Sequence, residues 1–143
     1  MKQFNDLTVQ QKQALIKFPA YVSFLAATDS KLDKAEKMAA IKLAHTKSFS
    51  CHTILAEFYK ASEISFEHNL MQIERSLPKD KKSRDLAIKK ELAILEKILL
   101  KLGHEYVKAM HHSMKTFKYH VSRAHHSVIE DFILPITIPG LTD

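Results

Sequence analysis

Residues 104–126 read HEYVKAMHHSMKTFKYHVSRAHH, and this stretch decides the fold class. At about 100° per residue, Tyr106, Met110, Met114, Phe117, Val121, Ala124 and Val128 form one continuous apolar stripe. Strand alternation with period two does not fit them. The same stretch holds six of the chain's nine histidines. His104, His111, His112 and His126 fall opposite the stripe, among Lys101, Lys108, Lys115 and Arg123. His125 lies near the border between the two faces, and His120 lies at the other edge of the stripe. The spacing therefore predicts an amphipathic helix whose histidines are mostly solvated rather than gathered in a core.

The rest of the chain repeats this helical pattern. Two glycines, four prolines and no tryptophan in 143 residues describe an all-α protein, and the length fits one domain over 1–143. Thr8 with Gln11 opens a first helix as a capping box, and Pro19 should kink or divide it. A second helix is expected from about Asp33 to Lys47. A third is capped by Ser48 or Ser50 and closed by Pro78, with Ile54, Phe58 and Ala61 beside Leu55, Tyr59, Phe66 and Ile73. Its two overlapping stripes imply more than one neighbour. Residues 78–83 form a charged linker, followed by a helix with Ile88, Leu92, Leu95, Leu99 and Leu102 inward. Ile94, Ile98 and Leu100 widen its apolar surface, which suggests a central position. Gly103 either ends this helix or merely weakens one that runs on through His126. The expected architecture is a compact bundle of five or six helices.

After Leu134, Pro135 and Pro139 exclude helix, yet Ile136, Ile138 and Leu141 remain apolar. The extended tail 132–143 is expected to bury itself against its own bundle or another subunit. It is thus the candidate surface for a protein partner or self-association. Cys51 is the only cysteine and suits a reducing compartment, and no N-terminal apolar core of a secretory signal is present. A cytoplasmic location is expected.

Three groups of residues could carry chemistry. In the turn at Asp29, Asp33 and Glu36, three carboxylates could offer oxygen ligands to calcium or magnesium. Asp33 with Glu36 is equally a helix-capping box, and Lys31, Lys34 and Lys37 oppose a cation there. The alternative metal group is His126, Glu130 and Asp131, with Glu63, Glu67 and His68 as further donors, for iron or zinc. No Glu-x-x-His pair of the dinuclear-bundle kind exists to support it.

The third group is the basic ribbon Lys101, His104, Lys108, His111, His112 and Lys115, with Lys118 beside it. It reads as a solvated face. Tyr119 is the lone aromatic near its axis, so nucleic acid is not expected, and an anionic surface is the weaker use of its net charge of +6. If the ribbon does bind anions, affinity should rise as imidazoles protonate below roughly pH 6.5. Glycine-rich phosphate loops, metalloprotease motifs and nucleophile elbows are absent, so no enzyme is expected.

The run from Leu15 to Lys37, ending Ala26-Ala27-Thr28-Asp29-Ser30-Lys31-Leu32-Asp33-Lys34-Ala35-Glu36, resembles the signature of TerB-like, tellurite-resistance-type proteins. In that family an apolar helix ends in small residues before D-G-x-(apolar)-D-x-x-E. Asp29, Leu32, Asp33 and Glu36 match, whereas Ser30 stands where glycine is usual. The resemblance implies an all-helical fold, a divalent cation at the acidic turn, and a non-enzymatic accessory role in stress responses.

Overall fold

The hydroxyl of Thr8 accepts the Gln11 N–H at 3.1 Å, and the Gln11 side chain accepts the Thr8 N–H at 3.0 Å. This box opens helix α1 (Val9–Leu15). Pro19 lies in the first turn of α2 (Phe18–Ala26), so it divides the segment rather than kinking one helix. The computed structural model describes residues 3–27 and 31–133, apart from the side chains of 125–133. Helices α3 (Lys34–Ser50), α4 (Ala56–Ser76), α5 (Lys81–Leu100) and α6 (His104–Ile133) complete the set. Single 3-10 turns cover Phe4–Asp6 and Thr53–Leu55, and no strand occurs among the described residues. None of the helices searched is long and apolar enough to cross a membrane.

Helix α6 forms the spine. Tyr106, Met110, Met114, Phe117 and Val121 are all buried, as the stripe predicts. α2 and α3 pack along it, and the turn at Thr53–Leu55 closes against it. Two contacts tie it to α4: the rings of Phe66 and Phe117 lie 5.9 Å apart, and the Tyr59 hydroxyl shares a hydrogen bond with that of Ser113. Ala40 and Ala44 are the buried apolar residues of α3, and their small side chains let neighbouring helices approach closely. α4 meets α2, α3 and the N-terminal turn, where Phe4 packs edge-on against Phe58.

Two sequence expectations need correction. Ser48 and Ser50 do not cap the next helix. Their hydroxyls donate back to the carbonyls of His45 and Thr46, the usual alternative for serine inside a helix. The α3–α4 junction is instead held by His52, whose Nδ1 accepts the Ile54 N–H at 3.2 Å. Nor is the helix of Leu95 and Leu99 central. α5 lies to one side, against α1, α2 and α6, with Ile94 47% and Leu100 67% exposed. Gly103 separates α5 from α6 with φ of 96°, the left-handed region that disfavours a Cβ. The tail from Leu134 lies outside the described residues.

The charged linker is shorter than expected because Asp80 caps α5, its carboxylate accepting the Ser83 N–H at 2.9 Å. That bond holds the Asp80 carboxyl below the ordinary aspartate range. Burial pushes Asp85 up, but the hydrogen bond and charge of Lys81, with the charge of Arg84, bring it net below its ordinary value. Both groups are therefore more acidic folded than unfolded. Their contribution is complete above the unfolded value of about 3.9 and is lost as pH falls through the lower folded values. The thermal midpoint should drop with pH in that acid window. Asp80→Asn keeps an acceptor at the cap but cannot titrate, so its acid limb should be shallower. Superimposable profiles for the two proteins would remove Asp80 from this account.

Candidate functional site

At the start of α3 the Glu36 N–H donates to Asp33 Oδ1 at 2.7 Å, and the Asp33 N–H donates to Glu36 Oε1 at 2.9 Å. Asp33 and Glu36 are thus brought together, each accepting a backbone donor at the positive end of the helix dipole. Glu36 is 1% exposed. Asp29, the third carboxylate of the expected cation site, lies outside the described residues. The surroundings carry the opposite charge to that expectation. Lys31, Lys37, Arg75, Lys79 and Arg84 line a pocket beside the turn, with Glu74 as the sole carboxylate in its described wall. Lys37 holds Glu74 at 3.0 Å.

The histidines of α6 disperse. His104, His111 and His120 are exposed, and His112 is half-buried. His111 pairs with Glu96 of α5 at 2.8 Å, while His45 of α3 pairs with Glu63 of α4 at 2.7 Å. Each of these histidines joins two helices. His126, Glu130 and Asp131 stand on the α6 backbone, but their side chains lie outside the described residues. Glu67 and His68 are exposed on α4. Among the described residues no three His, Cys, Asp or Glu side chains gather as a metal group.

What does gather is a groove. The end of α3 and the junction after it face the basic side of α6 across an open cleft of about 940 Å³. Lys47 and His52 stand on one wall, and Lys108, His111, His112 and Lys115 on the other. Ile54, Leu55 and Ala109 supply apolar surface, and Glu105 is the one carboxylate in the lining. Only the second half of the basic ribbon, from Lys108 onward, becomes a groove wall. The sequence did not reveal the facing wall because Lys47 and Lys108 are far apart along the chain.

Cys51 lines this groove, whereas Tyr59, Tyr106 and His120 lie outside its lining. Burial pushes the Cys51 thiol up, and the nearby Lys47 and Lys60 do not offset it. A thiol so shifted is a weak nucleophile at neutral pH. Tyr59 and Tyr106 are likewise pushed up by burial, so both phenols keep their protons. His120, further along α6, is exposed at the surface, yet the covered part of its ring and the charges of Lys47 and Arg123 lower it. No family model, no curated protein and no solved structure matches the chain.

Proposed function

We propose that this protein is a non-catalytic binding module whose groove between the α3–α4 junction and α6 takes an acidic segment of a partner protein. One observation carries the reading: three ammonium groups and three imidazoles converge on an open cleft whose lining holds one carboxylate, Glu105, with Glu96 pairing His111 from outside it. Such a cleft focuses positive potential and raises the encounter rate of an acidic chain. Ile54, Leu55 and Ala109 give apolar side chains of that chain a place to rest. Among the described residues no Phe, Tyr or Trp ring lines the groove for base stacking, which favours peptide over nucleic acid. The raised thiol of Cys51 in the groove lining supports binding rather than nucleophilic chemistry. The resemblance around Asp29, Asp33 and Glu36 supports an accessory, stress-response setting, and the lone Cys51 supports the cytoplasm as its place of action.

Calorimetric titration of the full chain with a short polyglutamate peptide tests this directly. Binding that weakens steeply from low to physiological salt is expected, because partly exposed charges are screened there. Single-stranded oligonucleotide should bind more weakly than the peptide. The same metal-stripped protein is titrated with calcium, magnesium, zinc and ferrous iron. Oxygen-seeking ions lost in Asp33→Asn would instead favour the acidic turn, and zinc or iron lost in His126→Ala the alternative group. Metal binding without peptide binding overturns the groove reading.

A further inference from the structure

The pocket beside the acidic turn contains a buried charge that the fold pairs only loosely. Arg84 is 1% exposed and is the bulkiest fully buried side chain among the described residues. Its Nε, Nη1 and Nη2 are all buried, and none has a hydrogen-bond partner. The nearest carboxylate oxygen, Asp85 Oδ1, lies 3.5 Å from Nη2, beyond a good charge-assisted bond. Asp85 gives its other oxygen to Lys81 at 2.9 Å. A guanidinium carries five N–H donors, and protein interiors rarely leave such groups unmatched. Removing it from water with no hydrogen bond and only one loose ion pair is costly.

Arg84 lines a pocket of about 400 Å³. Its apolar walls are Phe24, Leu32, Leu77 and Pro78, and four more cations, Lys31, Lys37, Arg75 and Lys79, line it as well. Lys37 is engaged by Glu74. Glu74 itself keeps Oε2 buried and without a hydrogen-bond partner. The pocket thus joins a concentrated positive charge, a buried planar donor fork, one unfilled acceptor and an apolar wall. Each feature selects part of a ligand. A planar fork suits the paired oxygens of a phosphate or carboxylate. The excess of cations favours a dianion over a single carboxylate. The volume exceeds what a bare inorganic ion needs and falls in the range of small-molecule sites.

We propose that this pocket binds a small hydroxylated phosphomonoester. Arg84 receives the phosphate oxygens, Lys31 and Lys79 at the exposed rim add charge, and Glu74 Oε2 accepts from a ligand hydroxyl. The organic body lies against Phe24, Leu32 and Leu77. This site shares no residue with the α6 groove, so either can fail without the other.

The test uses the full chain with ribose 5-phosphate and AMP as probes, beside inorganic phosphate, sulfate, acetate and ribose. Calorimetry and thermal midpoints are the readouts. The phosphomonoesters should bind at least about tenfold tighter than inorganic phosphate, the apolar wall and Glu74 supplying the difference. Acetate and ribose should not shift the midpoint. Arg84→Met separates a ligand arginine from a structural one. It should abolish phosphomonoester binding in a protein that still folds, as circular dichroism would show. A merely structural arginine would leave the AMP affinity of the folded variant unchanged. Should Arg84→Met fail to fold, the exposed pair Lys31→Ala with Lys79→Ala gives the second reading, with AMP affinity falling about tenfold. Equal binding of AMP, phosphate and sulfate overturns the proposal, as does unchanged AMP affinity in the lysine pair. A folded Arg84→Met protein that keeps the parent's AMP affinity overturns it too.

Discussion

Replacing Phe117 by alanine is expected to lower the free energy of unfolding by about 3–5 kcal/mol. The ring is 0% exposed at the middle of the apolar stripe of α6, and it meets Phe66 of α4 at 5.9 Å. α6 also receives α2 and α3, so the cavity would open where several elements converge and none can collapse alone. Leu100→Ala is the matched control. It removes a comparably apolar side chain from α5, but at 67% exposure the change should stay within about 0.5 kcal/mol. Urea unfolding of the two variants at equal m-value gives the comparison. A Phe117→Ala loss under about 1 kcal/mol would mean that α6 is not the spine of the core.

That contrast also marks what the sequence could and could not disclose. The Thr8 and Asp33 boxes, the Pro19 division and the α6 stripe were legible because each depends on residues within one or two turns. The position of α5 was not. Ile94, Ile98 and Leu100 made it look like the inner helix, yet hydrophobicity states only a tendency to be buried, and the available faces belong to α6. Ser50 looked like a cap because serine serves at helix starts, but its hydroxyl found the Thr46 carbonyl instead. Among candidate site residues, Asp33 and Glu36 were correctly paired, and their capping role followed from spacing alone. Arg84 escaped notice. It sits in a run of lysines that reads as solvated, and nothing local separates the one buried cation from its exposed neighbours. Both cavities are built by segments remote in sequence, which periodicity cannot register.

Reversing two charges in the α6 groove should reduce affinity for a polyglutamate peptide by about tenfold to a hundredfold, since each lysine changed to glutamate turns an attraction into a repulsion. Lys108→Glu with Lys115→Glu is the informative pair, because both residues are exposed and both line the groove. Neither substitution touches the buried stripe, so the thermal midpoint should move little. Lys101→Glu provides the control. It alters the same basic ribbon and the same net charge per substitution, but it lies outside the groove lining. If affinity followed only overall charge, the control would lose about half as much as the double variant on a logarithmic scale. If the groove is the site, Lys101→Glu should be nearly silent, and the double variant should also lose most of the parent's salt dependence. Equal losses per charge at all three positions would point to a diffuse basic surface and remove the groove from the account.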